Sequence, residues 1–307
     1  MKICSLLPSA TEIVCALGLE KELVGVTHEC VFPPAARQKP RIVRTTIDQD
    51  RLSSHAIHQA VEASLRAGQS LYVLDQELLE RLQPDLIITQ DLCEVCAIDS
   101  REVNACLGTL ASRPQILSLH PHTLEEALAD ILRVGHAADR EDAARAFVAR
   151  LRERIAAVRQ RVAGAVHRPR VLCLEWMDPV MNAGHWVPEL VVLAGGHDVL
   201  GRAGELSRVV RWEDVVAADP EMLIVMPCGF PLERTRQEIS ALTARASWRQ
   251  LSAVSAGRVF LVNGPAYFNQ SGPRIVDGVE LLATLLHPDR CRYVFPADAV
   301  ARLEPAA

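Results

Sequence analysis

Short apolar runs that stop at proline, glycine or a polar cluster alternate with stretches whose apolar residues recur every three or four positions. That alternation of strand and helix patterns is the mark of an α/β chain. K-I-C-S-L-L stops at Pro8, and Ser9 with Glu12 reads as a capping box for a helix reaching Gly18. L-V-G-V-T, Leu23 to Thr27, is the next buried strand, so the chain opens as a β-α-β unit with a parallel sheet. R-V-L-C-L-E-W, Arg170 to Trp176, followed by P-E-L-V-V-L-A-G-G, repeats that plan in the second half. A second pattern also recurs. L-L-E-R-L-Q-P-D-L-I-I-T-Q-D-L-C at 78–93 matches W-E-D-V-V-A-A-D-P-E-M-L-I-V-M-P-C at 212–228, each a helix stopped by proline, an acid, a strand and a cysteine. P-Q-I-L-S-L and R-V-F-L-V each add one more strand.

Between the repeats, Thr123 and Glu126 cap a helix reaching about His136, and Asp139 caps a longer one running to Gly164. In the longer helix Ala144, Phe147, Leu151, Ile155, Val158 and Val162 form one apolar face, with arginines on the others. At 1.5 Å per residue it spans roughly 36 Å, enough to brace one lobe against the other. The expected fold is α/β: two Rossmann-like lobes with parallel sheets joined by a single long α-helix. The domains are an N-terminal lobe over 1–122, a helical bridge over 123–168 and a C-terminal lobe over 169–307.

Composition narrows the function. At 307 residues the chain exceeds the roughly 250–300 at which one core stops growing, which agrees with two lobes. The net charge of −5 comes from interleaved acids and arginines with no dense basic face, so nucleic acid is not an expected partner. No apolar run approaches the ~18 residues of a membrane span, so the chain is not embedded in a bilayer. The N-terminus shows no signal peptide. Nine scattered cysteines do not resemble a disulfide framework, so the expected location is a reducing cytoplasm, or the periplasm if a leader has been removed.

In open parallel sheets, ligands bind beyond the carboxyl ends of the strands, and here those positions carry the chemistry. The first lobe offers Ser9, then His28, Glu29 and Cys30, then Asp91, Cys93 and Cys96; the second offers Glu175, Trp176, Trp186, Phe230, Tyr267 and Phe268. With only four Trp, three Tyr and six Phe in the chain, these loop aromatics suit a cleft between lobes that holds a bulky organic ligand. The C-x-x-C of Cys93 and Cys96 can clamp a metal, cycle as a disulfide or supply two small wall residues. With His28 and Cys30 it would form a soft transition-metal site. G-x-S-x-G, Walker, H-E-x-x-H and G-x-G-x-x-G signatures are all absent, so a non-catalytic binding protein is expected.

The blocks I-C-S-L-L-P-S-A-T-E-I-V-C-A-L-G, E-L-V-V-L-A-G-G and S-G-P-R-I-V-D-G-V-E-L-L-A, in this order, resemble the class III, helical-backbone substrate-binding proteins of ABC importers, in their cobalamin-binding branch. The resemblance covers about 1 to 287. It implies capture of cobalamin or a related corrinoid or metal chelate, and delivery to an ABC permease. In that family the corrin ring is held by aromatic contact, a role that would fall on Trp176, Trp186, Phe230, Tyr267 and Phe268. The thiol-bearing loops T-H-E-C-V-F-P and D-L-C-E-V-C-A resemble a leaderless subgroup. The alternative is a binder or sensor of a free transition metal through the Cys/His cluster of the first lobe.

Overall fold

In the computed structural model, which describes residues 1–90 and 113–304, the chain forms two compact units. One comprises Met1–Leu52, Gln59–Pro121 and Glu125–Arg150, the other Ser53–His58, His122–Leu124 and Leu151–Ala307.

The first unit is built on a sheet of order β4-β3-β2-β1-β5-β6, with β1 (Ile3–Ser5), β2 (Leu23–Thr27), β3 (Arg41–Thr45), β4 (Tyr72–Leu74), β5 (Leu86–Gln90) and β6 (Gln115–Leu119). β1 pairs in parallel with β2 and β5, and among the described strands of this sheet only the edge strand β4 is antiparallel. Strands covered on both faces read as continuous apolar runs, and Ile3, Cys4, Ile87 and Ile88 are all 0% exposed. The first helix, Pro8–Ala16, begins earlier than its expected capping box. Leu7 is the N-cap and Pro8 occupies the first turn, where its missing N–H costs nothing. Ser9 therefore lies inside the helix, buried.

The second unit holds a sheet of order β10-β8-β7-β11-β12-β13, with β9 also paired to β7. Its strands are β7 (Arg170–Met177), β8 (Val180–Asn182), β9 (His197–Asp198), β10 (Arg208–Val209), β11 (Met222–Val225), β12 (Val259–Val262) and β13 (Val300–Arg302). The repeat seen in the sequence is present. β7, the helix Val187–Leu193 and β9 form the parallel β-α-β that β1, the first helix and β2 form in the other unit. The helices that precede β5 and β11 both end in left-handed residues, Gln83 and Asp219, just before their prolines.

One difference was not legible in the sequence. The first half of β7 pairs with β9, whereas its second half folds back on β8 as an antiparallel hairpin, Trp176 opposite Met181. Glu175 and Trp176 are thus strand residues, and the register shifts between Leu174 and Trp176, a bulge at Glu175.

The long helix, Glu141–Val162, starts after Asp139, which sits at φ 54° as a turn residue in place of the expected cap. Its buried stripe runs through Ala144, Val148, Leu151, Ile155, Val158 and Val162. Phe147, expected in the stripe, is only half-buried, with the Arg150 guanidinium 5.4 Å from its ring centre. In the second unit the helix Ile275–Leu286 packs so closely that a Cβ on Gly278 would lie 2.4 Å from Tyr267 O and 3.1 Å from the Phe268 ring. Alanine would otherwise favour the helix by about 1 kcal/mol. Because the close atom is backbone, Gly278→Ala is expected to lower stability by about 1–3 kcal/mol. Thermal denaturation checks it: an unchanged or raised midpoint would mean the helix can move aside.

Candidate ligand-binding site

β2 ends at Thr27 and the next residues fold into a tight turn. Cys30 N–H donates to Thr27 O at 3.2 Å, and Glu29 N–H to Thr27 Oγ1 at 3.2 Å. Arg41, opposite Val26 on β3, places its guanidinium on the carbonyls of Thr27 and Cys30, the latter at 2.9 Å. Arg41 thus shapes the loop, although nothing local in the sequence marks it.

This clamp sets the His28 ring. Its Nδ1 is 3.3 Å from Val43 O; a carbonyl only accepts, so Nδ1 carries the proton and Nε2 presents a lone pair. That Nε2 is buried without a hydrogen-bond partner, with Glu29 Oε1 3.9 Å away. Burial, aided by the charge of Arg41, holds the imidazole pKa below its ordinary value. A neutral ring with a lone pair at Nε2 is the form that ligates metals. Beside it the dense surroundings push the Glu29 carboxyl up to about 7, although 28% of its side chain still reaches the surface. Val31 and Phe32 follow, 46% and 40% exposed, an apolar lip on the same loop.

Cys30 has a different part. It is 0% exposed, and its Sγ meets Thr11 Oγ1 at 3.1 Å and Thr27 Oγ1 at 3.2 Å. Thr11 in turn donates to Ser5 Oγ at 2.8 Å. Burial raises this thiol's pKa. Cys30 therefore ties the loop to the first helix, and the metal role expected for it is corrected on that ground. Among the described residues no three His, Cys, Asp or Glu side chains gather into a metal site. Asp91, Cys93 and Cys96 lie outside the described residues.

In the second unit Glu175 lies at the bulge, half-buried, and burial pushes its pKa up to about 7 against the opposing pull of the Gly184 N–H. Cys228 N–H, from the loop after β11, donates to Glu175 O at 2.9 Å. The aromatic residues expected to face a ligand are packed together here. The Trp176 and Phe230 rings lie 5.2 Å apart. The Trp186 indole N–H donates to Phe268 O at 2.8 Å, and Tyr267 stands edge-on to Phe295 at 6.1 Å. Exposure runs from 9% at Trp176 to 1% at Phe268, and Phe268, expected in a ligand wall, is a core residue. Loop position in the sequence says nothing about which way a ring turns.

Three polar residues escaped the sequence reading. His185, at φ 50°, stacks on His122 at 5.8 Å, and burial lowers its pKa. Asn269 and Gln270 follow Phe268 beyond β12. Their only signal is a polar pair directly after aromatics at a strand end.

The two units are each built on a sheet of mainly parallel strands, with polar groups gathered where those strands end. The chain belongs to the periplasmic binding protein family, whose model matches residues 3–266. A vitamin B12-binding protein of Vibrio cholerae serotype O1 is 26% identical over 292 residues, 93% of this chain and 88% of that protein. A periplasmic heme binding protein from Pseudomonas aeruginosa superposes with a TM-score of 0.73 at 20% identity, covering 99% of each chain. The periplasmic vitamin B12 binding protein of Vibrio cholerae does so with a TM-score of 0.65 at 24% identity, over 93% of this chain and 96% of that one. Both likenesses are of fold.

These findings overturn the cytoplasmic expectation, since the family and both solved relatives are periplasmic. The cysteine count misled because Cys4, Cys30, Cys173 and Cys291 are buried. Burial pushes Cys4 up to about 12, and enclosed neutral thiols are inert in any compartment. Among the described residues no helix is long and apolar enough to cross a membrane.

Proposed function

We propose that this protein captures a cobalamin-type corrinoid at its strand-end loops and delivers it to the permease of an ABC importer. The observation that carries the reading is the alignment, along nearly the whole chain, with a relative named for binding vitamin B12. The geometry after β2 supports it. A neutral His28 with a buried, unpartnered Nε2 can ligate cobalt, and the lip of Val31 and Phe32 offers apolar contact to a macrocycle. Glu29, next to His28 on this loop, is assigned to polar contact with the ligand. The free-metal alternative has no support among the described residues.

Calorimetric and visible-light titration with hydroxocobalamin and cyanocobalamin tests this. Hydroxocobalamin, whose upper ligand exchanges readily, is expected to bind with a shifted visible spectrum, and cyanocobalamin to bind more weakly. His28→Ala is expected to abolish the spectral shift and to weaken hydroxocobalamin by about tenfold or more, the loss of one strong directed contact. Absence of heat and of spectral change with both corrinoids would reject the reading. A shift that survives His28→Ala would reject the role of His28.

A further inference from the structure

We propose that the second unit carries a basic surface, set with exposed valines, that adsorbs to an anionic lipid bilayer. It lies where the end of the long helix meets the segment after Leu286, and it is separate from the corrinoid reading above.

Elsewhere on the chain arginines commonly face acids, as Arg66 faces Glu62 and Arg211 faces Asp214. Four exposed arginines of the second unit, Arg161, Arg168, Arg290 and Arg292, are used differently. Arg290 donates to Gly164 O at 2.5 Å and to Arg161 O at 3.4 Å, covering carbonyls at the end of the long helix. Arg161 lies 5.0 Å from the centre of the Tyr293 ring, and Arg292 donates to Pro288 O at 3.2 Å. Carbonyls and a ring orient a guanidinium without neutralising it, so these charges persist at the surface. The acids alongside are Asp289, next to Arg290 in the chain, and Glu221, which is engaged by His167 at 2.9 Å and by the Arg170 N–H at 2.8 Å.

Apolar side chains emerge among these charges. Val166 and Val294 are almost wholly exposed, and Val192 is 54% exposed. Packing gathers them. The Arg290 bond to Gly164 O ties that residue to the chain two positions before Val166, and the Tyr293 ring beside Arg161 directly precedes Val294. A Cβ on Gly195 would lie 3.0 Å from Val162 Cβ, which sets the end of the helix Val187–Leu193 against the same helix end. One exposed valine needs no explanation, but three among four uncompensated arginines form a surface with two kinds of demand.

A soluble polyanion would meet the arginines and offer nothing to the valines. An anionic bilayer meets both. The valines and arginine stems enter the interfacial layer, the guanidinium groups reach the lipid phosphates, and a tyrosine suits that depth. Because charges are screened beyond about 8 Å at physiological salt, the local patch outweighs the net charge of −5 on approach. Val166 and Arg168 precede β7, at the opposite end of that strand from Trp176. Adsorption through them leaves the loops at the carboxyl ends of the second sheet open.

Co-sedimentation with vesicles of phosphatidylcholine, with and without phosphatidylglycerol, tests this, and soluble polyphosphate serves as a second probe. The wild-type protein is expected to bind the phosphatidylglycerol vesicles, to ignore the neutral ones, and to release them between about 0.05 and about 0.5 M salt. Arg168→Glu with Arg292→Glu should weaken vesicle binding by about 20-fold or more, at about fivefold for each arginine lost. Val166→Ser with Val294→Ser should weaken vesicle binding by about threefold or more and leave polyphosphate binding unchanged. All four side chains are exposed, so both variants are expected to melt like the wild type. Failure of the wild type to bind anionic vesicles at low salt would overturn the proposal, as would full binding by the glutamate variant. Full vesicle binding by the serine variant would also overturn it, since the surface would then read charge alone. No corrinoid enters these measurements, so their failure strikes this surface and not the function proposed above.

Discussion

Arg154→Met is expected to lower the melting midpoint by about 6–12 °C near neutral pH, the result of losing roughly 3 kcal/mol at about 2–4 °C per kcal/mol. Arg154 Nε donates to Glu280 Oε1 at 2.9 Å, and its Nη2 donates to Glu280 Oε2 at 2.6 Å and Asp277 Oδ1 at 2.5 Å. A surface ion pair would be worth about 0–1 kcal/mol. This one differs because the carboxylate side is enclosed, Glu280 at 11% and Asp277 at 29% side-chain exposure. Removing the guanidinium strands two acids in a poorly hydrated place, and methionine keeps most of the stem packing. Burial already raises the Asp277 pKa despite the bonds from Arg154, and without Arg154 it rises further. The deficit of the variant should therefore shrink as pH falls and Asp277 takes up a proton. Melts at two pH values decide: a variant within a degree or so of the wild type near neutrality would show that the cluster is a hydrated surface pair after all.

Glu175→Gln is expected to stabilise the protein at alkaline pH by up to about 3 kcal/mol and to change nothing in acid, at ~1.4 kcal/mol per pKa unit. The folded state raises this carboxyl from 4.5 to about 7, mainly by burial. The folded protein thus holds its proton more tightly than the unfolded chain does, and stability falls as pH rises through that window. Below 4.5 both states are protonated and the penalty vanishes; above 7 it is complete. Glutamine keeps the shape and the acceptor for the Gly184 N–H while removing the charge. Midpoints measured from acid to alkaline pH should diverge between wild type and variant across the window, and parallel curves would refute the assignment. Glu29, raised to about 7 by the same cause, should leave a residual slope in the variant.

Much of the architecture was written in local patterns. Ile3, Ile87 and Ile88 sit in unbroken apolar runs because strands covered on both faces need no polar side. Proline after Gln83 and after Asp219 marks where two equivalent helices stop. The repeated order of such elements was enough to predict two sheets of parallel strands. Periodicity was a poorer guide to detail. It placed Phe147 in the buried stripe, which runs through Val148, and it took Ser9 for a cap where Pro8 already begins the helix.

The chemistry at the strand ends was only half visible, since residue type and loop position can be read along the chain but partners cannot. His28 was visible as a candidate, yet its state is set by burial first, then by the Val43 carbonyl and the charge of Arg41 on the next strand. Cys30 looked like a ligand until the fold surrounded it with Thr11 and Thr27. Glu175 gains its high pKa from burial, at a point where β7 passes from pairing with β9 to pairing with β8. Apolar spacing thus dictated which segments become strands and helices, because burial in a periodic element repeats at fixed intervals. Which polar atoms end up satisfied, charged or stranded was decided by tertiary packing alone, because that depends on groups as far apart as Arg154 and Glu280, 126 positions along the chain.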